Sequence, residues 1–252
     1  MNNMKTILLA TANPYEIEEY LDMFSRNFPS RAYHFISLKD LPFIPEPYIK
    51  GDNIRDIVWE KAMYYSQQFG LPTIADYSIL RVNLLNNEPD LNTFEYAGET
   101  GLSRMAKNRE KLKKRLKEAG VITAQAIYHC VCAYVDLTKS ISMKQPAPIF
   151  QPIFHGKMPV IVCSEERGKI KYEYDTMSYL DDGKTLAELS IETKNQISHR
   201  HKALVKMKNY LKLENYRCGF EDISFETSEI TNGVTNLPLI TKITKQSVLS
   251  SL

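Results

Sequence analysis

Seven side chains in two short stretches have the chemistry of a purine-reading edge: Tyr172, Tyr174 and Asp175, then Lys194, Ser198, His199 and Arg200. A nucleobase is held by stacking on an aromatic face, which contributes about 1–3 kcal/mol. Tyr172, and to a lesser degree Tyr174, can supply that face. Asp175 can accept from base N–H groups, while Ser198, His199 and Arg200 can donate to a 6-oxo oxygen of hypoxanthine or xanthine. Adenine presents an amino donor at the same position, so a donor-rich pocket leaves groups unpaired against it. Lys194 precedes Ser198 by one helical turn and would share its face on a continuous helix. Alone, Ser-His-Arg is more often a solvated loop and helix with a satisfied histidine.

A second group has the chemistry of a phosphate site. Thr11 and Asn13 follow the apolar run Thr6 to Ala10, and Asn13 can cap a helix whose first residue is Pro14. A strand, a tight turn and a helix N-terminus together form a common anion cradle. Asp76 stands in an otherwise apolar stretch, where a carboxylate is costly unless paired or bound to metal. A structural hydrogen bond is the alternative for that residue. Other carboxylates within reach along the chain are Glu46, Asp52 and Asp56.

The elements that must position these groups alternate. Strands are expected at Thr6 to Ala10, His34 to Leu38, Thr73 to Leu85 (interrupted by polar Asp76 and Ser78), Ala126 to Leu137 and Val160 to Cys163. Helices are expected at Tyr15 to Phe28, Asn53 to Phe69, Arg104 to Ala119, Leu186 to Glu192 and Ser198 to Leu211. The prolines of Leu41 to Gly51 mark a loop, and those of Gln145 to Pro152 a turn or excursion between strands. The Lys/Arg run of the Arg104 helix reads as a solvated face. From Glu214 onward the chain is polar, with short β-type pieces and no catalytic motif. This alternation predicts an α/β domain with a mixed sheet.

With 252 residues, 43% of them hydrophobic, the chain can bury a sizeable core as one domain or as two lobes sharing a sheet. A net charge of +2 argues against a general nucleic-acid surface, whereas a polyphosphate needs only a local positive cluster. No stretch approaches the roughly 20 apolar residues of a membrane span. The run at Ile7 to Ala10 is short for a secretory signal, so a cytoplasmic location is expected. Cys130, Cys132, Cys163 and Cys218 lack zinc or redox spacing and read as reduced structural thiols, the first two sharing one strand face.

Taken in order, these segments resemble the inosine/xanthosine triphosphate pyrophosphatases, from about Lys5 to Tyr210. Thr11-Ala12-Asn13 is similar to that family's threonine-glycine-asparagine loop, Glu60-Lys61-Ala62 to its lysine-alanine helix, and Ile74 to Ser78 to its alanine-aspartate-aspartate-serine strand. Tyr96-Ala97-Gly98-Glu99 with Asn108 and Lys111-Leu112 follows, then Tyr172 to Asp175, then Thr185 to Leu189, Lys194, Ser198-His199-Arg200 and Ala203. The resemblance implies a mixed central sheet flanked by helices, two lobes with a nucleotide cleft between them, in a domain of residues 1–211. Residues 212–252 would be a C-terminal extension. It further implies a Mg²⁺-dependent enzyme, commonly a homodimer, that converts a non-canonical purine nucleoside triphosphate to its monophosphate and pyrophosphate. Lys61 would face phosphate, and Asp76, with Asp56 as a replacement carboxylate, would serve catalysis and the metal.

Several positions depart from that pattern. The family's phosphate lysine is Glu16, its second strand aspartate is Tyr77, and its glutamate upstream of Lys61 falls near Ile49. Ala12 and Glu173 replace glycines and narrow the room for ligand approach. These changes leave a second reading open: a purine-nucleotide-binding protein of the same fold, with lost or weak hydrolysis, in a sensor or regulatory role.

Overall fold

The computed structural model describes residues 4–27, 33–47, 49, 51–98, 103–138, 151–169 and 172–219. Its organising element is β3 (Thr73–Val82), flanked along its first residues by β1 (Lys5–Leu9) in parallel and along its whole length by β5 (Thr123–Val135) in antiparallel pairing. β2 (Tyr33–Ser37) runs parallel to β1, and the short β4 (Pro89–Asp90) pairs with the far end of β3. β6 (Ile153–Cys163) and β7 (Ser178–Tyr179) extend the other edge, giving the order β2-β1-β3-β5-β6-β7. The helices are α1 (Pro14–Asn27), α2 (Ile54–Phe69), α3 (Arg104–Glu118), α4 (Ile191–Ile197) and α5 (His199–Gly219). The fold is thus the expected α/β type, a mixed sheet with flanking helices.

Strand residues alternate between faces. Ala75 and Ile79 of β3 pack with Val131 and Ala133 of β5 against Val58 and Ala62 of α2. Leu80 and Val82, on the opposite face, join Tyr128, Leu112, Leu116 and Met177 in a second cluster. Asp76 and Ser78 fall in step with Leu80, so they look away from α2. Facing them on β5 are Cys132 and Cys130, whose sulfurs lie 3.6 Å apart, and both are free thiols. The shared face read from their spacing is therefore correct.

Next to Cys130 on β6 is Gly156, and the first turn of α5 crosses directly over it. A Cβ there would lie 2.0 Å from the carbonyl oxygen of His199 and 2.6 Å from the backbone nitrogen of Ala203. Only glycine lets α5 begin so close to the sheet.

Several boundaries differ from the sequence reading for identifiable reasons. β3 is continuous through Asp76 and Ser78, because both side chains find buried surroundings. β6 starts seven residues before the apolar run at Val160, since its first half alternates polar and apolar residues along a half-exposed edge. Leu186–Glu188 is a 3-10 turn, and the helix that follows, Ile191–Ile197, ends at Ser198. Lys194 and Ser198 are thus on either side of a break, not on one helix. α3 does not turn its whole basic run to solvent: Asn108 and Arg109 are buried, with Arg109 on Glu166 and on the carbonyl of Glu173. α5 continues to Gly219, where loose polar chain was expected from Glu214. Residues 139–150, most of the expected excursion, and 220–252 lie outside the described residues, as does the Cys218 side chain.

Candidate active site

The Thr11–Asn13 turn opens α1. Asn13 accepts the Tyr15 backbone N–H through Oδ1 at 3.1 Å, and its own N–H donates to Thr11 Oγ1 at 3.1 Å. The Thr11 hydroxyl donates to Glu16 Oε2 at 2.6 Å, tying the first turn of the helix to the loop. Glu16 stands at a helix N-terminus, where a negative charge is favoured by the macrodipole.

Behind that turn lies an array of buried charges. Arg200, at the start of α5, donates through Nε to Asp76 Oδ2 at 3.1 Å and through Nη1 to Glu19 Oε2, and its Nη2 is 3.8 Å from Glu16 Oε1. Lys194 of α4 is held by Asp175 Oδ2 at 2.6 Å and Glu19 Oε1 at 3.0 Å, with its ammonium 3.5 Å from the Tyr172 ring centre. Burial alone would raise the Asp76 carboxyl, but Arg200 and Lys61 outweigh it and hold it below its ordinary value. Glu19 is lowered likewise, burial being overcome by Lys194 and Arg200. Lys194 is raised despite burial because two carboxylates face it. Asp175 moves up: burial dominates, Lys194 offsets it only in part, and Glu19 beside it adds a smaller repulsion. Charges this deep persist only when fully paired, and this set is closed on itself.

A cavity of about 160 Å³ joins the two ends. Asn13, Tyr15 and Glu16 line it on one side; Tyr172, Tyr174, Asp175, Lys194, His199 and Arg200 on the other. Ser78, Arg104, Tyr128 and Glu173 are among its other wall residues. The Tyr172 hydroxyl donates to the Tyr15 carbonyl at 2.5 Å. Tyr174 is buried, its hydroxyl on the Thr93 carbonyl at 2.9 Å. His199 stacks on Tyr128 with ring centres 4.9 Å apart, and its Nδ1 has no hydrogen-bond partner among the described residues. Burial, then the nearby Arg200 and Lys194 charges, push its pKa well below the usual histidine value, so the ring is neutral at pH 7.

The structure therefore gathers most of the residues singled out in the sequence, but redistributes their duties. Ser198 is the cap of α5, accepting the His201 backbone N–H at 3.1 Å, and does not line the cavity. Arg200 lines it, yet its guanidinium is committed to carboxylates. Lys61 on α2 is half-buried and donates to the backbone carbonyl of Asp76 at 3.4 Å. Tyr77 projects to the α2 side of the sheet and donates to the Leu91 carbonyl at 2.9 Å.

The expected metal pair does not assemble. Mg²⁺ takes oxygens at about 2.0–2.1 Å in near-octahedral geometry. Asp56 is exposed on the first turn of α2, where Oδ2 accepts from Asn53 Nδ2 at 2.5 Å. Asp76 is buried against Arg200 and Cys130. Among the described residues, no group of three or more His, Cys, Asp or Glu could hold a metal ion. The donors present do not fit a Mg²⁺ held by Asp76 with Asp56.

Four participants escaped the sequence reading. Glu19 lies one helical turn after Glu16 and beside the apolar stripe of α1, a position that looks like ordinary helix surface until Lys194 and Arg200 are brought to it. Arg104 sat in a run read as solvated, but reaches Glu173 at 3.3 Å. Tyr15 and Tyr128 carried no motif.

This architecture has close counterparts. The profile of the Ham1 family matches residues 7–210. A dITP/XTP pyrophosphatase of Thermoanaerobacter sp. (strain X514) is 32% identical over 206 residues, covering 81% of this chain and 96% of the relative. Another, from Haemophilus influenzae, is 34% identical over 206 residues, covering 81% and 98%. A solved HAM1 protein from Coxiella burnetii superposes with a TM-score of 0.67 at 29% identity, covering 83% of this chain and all of that one.

Proposed function

The chain belongs to the Ham1 family, and from that premise we propose that it hydrolyses non-canonical purine nucleoside triphosphates, of the inosine and xanthosine type, to the monophosphate and pyrophosphate. The observation that carries the reading is the single cavity running from the Thr11–Asn13 turn to Tyr172, Asp175, Lys194 and His199. It offers an aromatic wall, a neutral imidazole and an anion-binding helix start in one continuous space. Binding without turnover, the alternative for a chain with Glu16 and Tyr77, has less support, since relatives matched over nearly their whole length are named as pyrophosphatases.

Roles follow from position. The Tyr172 ring, held from behind by the Lys194 ammonium, stacks on the base. His199 donates to the 6-oxo oxygen, and Arg200 shapes the pocket through its carboxylates. Asp175 accepts from the base or stays with Lys194. Ser198 acts through α5, whose start it caps. Thr11 and Asn13 frame the phosphates, with Lys61 and Asp76 behind them. Because Asp76 and Asp56 do not make a metal pair, the Mg²⁺ of the reaction is inferred to arrive on the triphosphate, as part of the substrate, where it neutralises phosphate charge. Residues 212–252 are assigned to an extension outside the catalytic domain. A cytoplasmic homodimer is inferred from the family resemblance and from the free thiols at Cys130, Cys132 and Cys163, which suit a reducing compartment.

The test is a panel of inosine, xanthosine, adenosine, guanosine and cytidine triphosphates with Mg²⁺, assayed for pyrophosphate with binding measured in parallel. Turnover of the first two above the others supports the proposal. Binding of all five without release of pyrophosphate from any would overturn it.

A further inference from the structure

A pyrophosphatase must place a carboxylate beside the attacking water, and most carboxylates of this site are already committed. Asp76, Glu19 and Asp175 each sit in a buried ion pair with Arg200 or Lys194. Glu173 has both carboxylate oxygens engaged, accepting from Asn108 Nδ2 at 2.5 Å and from Arg104 at 3.3 Å. Tyr77, which stands where the family pattern has its second aspartate, is turned to the other face of the sheet.

Glu16 is different. It follows the Thr11–Asn13 turn by one helical turn, lines the cavity, and among the described residues is hydrogen-bonded through one oxygen: Oε2 accepts the Thr11 hydroxyl at 2.6 Å. Its other oxygen, Oε1, is 3.8 Å from Arg200 Nη2, beyond hydrogen-bond reach. The carboxylate is therefore fixed in orientation by Thr11 and fronted by Arg200, with lone pairs left for a ligand. Glu16 occupies the position where the family pattern has a phosphate lysine, so one site has exchanged a cation on α1 for a carboxylate and a carboxylate on β3 for a tyrosine.

We propose that Glu16 is the catalytic carboxylate of this chain, the role having moved from β3 to the first turn of α1. The inference rests on the pyrophosphatase reading above. Glu16 Oε1 accepts a proton from a water whose oxygen bonds to the α-phosphorus. The bond from that phosphorus to the oxygen bridging to the β-phosphate breaks, and its electron pair leaves with pyrophosphate. The proton on Glu16 then passes to solvent, restoring the carboxylate. Thr11, in addition to framing phosphate, is the positioning residue that aims it.

The experiment compares the full chain with Glu16→Gln and Glu16→Asp, using inosine triphosphate with Mg²⁺ for turnover and a non-hydrolysable analogue for binding. General-base groups contribute about 10²–10⁴-fold, so Glu16→Gln should lower kcat by at least about 10²-fold while KM and analogue affinity change less than about threefold. The acidic limb of the kcat profile should vanish in Glu16→Gln and survive in Glu16→Asp, at intermediate kcat. If Glu16→Gln does not fold, the Glu16→Asp rate and pH profile decide: an unchanged kcat overturns the proposal. So does a folded Glu16→Gln enzyme within about threefold of the wild-type kcat, or one altered in KM alone. A wild-type protein with no turnover would instead overturn the function reading on which this one stands.

Discussion

Replacing Gly156 with alanine tests whether the packing of α5 on the sheet sets the geometry of the site. The new methyl would sit 2.0 Å from the His199 carbonyl oxygen and 2.6 Å from the Ala203 nitrogen, where real contacts are essentially never under 3.0 Å. Both obstacles are backbone, so the first turn of α5 must move by about 1 Å to relieve the closer one. Arg200 rides on that turn, and its 3.1 Å bond to Asp76 would stretch past hydrogen-bond length. Overpacking of this kind costs about 1–3 kcal/mol, which for a domain of this size lowers Tm by about 2–4 °C per kcal/mol. Misplacement by about 1 Å can lower catalysis about 10²-fold. The assay is kcat/KM for inosine triphosphate alongside thermal unfolding. Gly183→Ala is the control: Gly183, unlike Gly156, is in the left-handed region, at φ 79°, and no atom lies within 4 Å of its added Cβ. It should lose about 1–2 kcal/mol from backbone strain with kcat/KM unchanged. If Gly156→Ala keeps wild-type kcat/KM, the start of α5 does not position the site.

Three further outcomes are expected. Lys194→Met leaves Asp175 and Glu19 without their shared cation and should cost about 3–5 kcal/mol in denaturant unfolding; a loss under 1 kcal/mol would mean the ion array is not closed as described. Tyr172→Ala should weaken base binding by about 1–3 kcal/mol, seen in KM, whereas Tyr172→Phe keeps the ring, loses the hydroxyl's bond to the Tyr15 carbonyl, and should retain most of the affinity. On acidification, His129, pushed down to about 4 chiefly by burial and then by His155, binds its proton more readily when unfolded. Below the ordinary histidine value of about 6.5 the unfolded state therefore gains protons first, and Tm should fall between pH 6.5 and about 4; His129→Gln should flatten that fall.

The sequence made the fold legible where signals were local. Asn13, Pro14, Asn53 and Gly70 mark helix ends through their own backbone chemistry, and the apolar runs of β1 and β5 name themselves. β6 was half-hidden because an edge strand alternates, so only its apolar end at Val160 was visible. In the site, residue types were readable but their partners were not. Nothing in the sequence shows that Glu19 meets Lys194 and Arg200, which lie most of the chain away from it. That meeting withdraws Arg200 from free base recognition and Asp76 from simple metal binding. Ser198 had the right type for a donor, and the break between α4 and α5 gave it a cap instead.

The central claim is tested most directly by following the phosphorus of inosine triphosphate through one reaction with purified full-length protein and Mg²⁺. Inosine monophosphate and pyrophosphate should appear in equal amounts, with adenosine triphosphate turned over far more slowly. Release of orthophosphate and the diphosphate, or tight binding with no products at all, would contradict it.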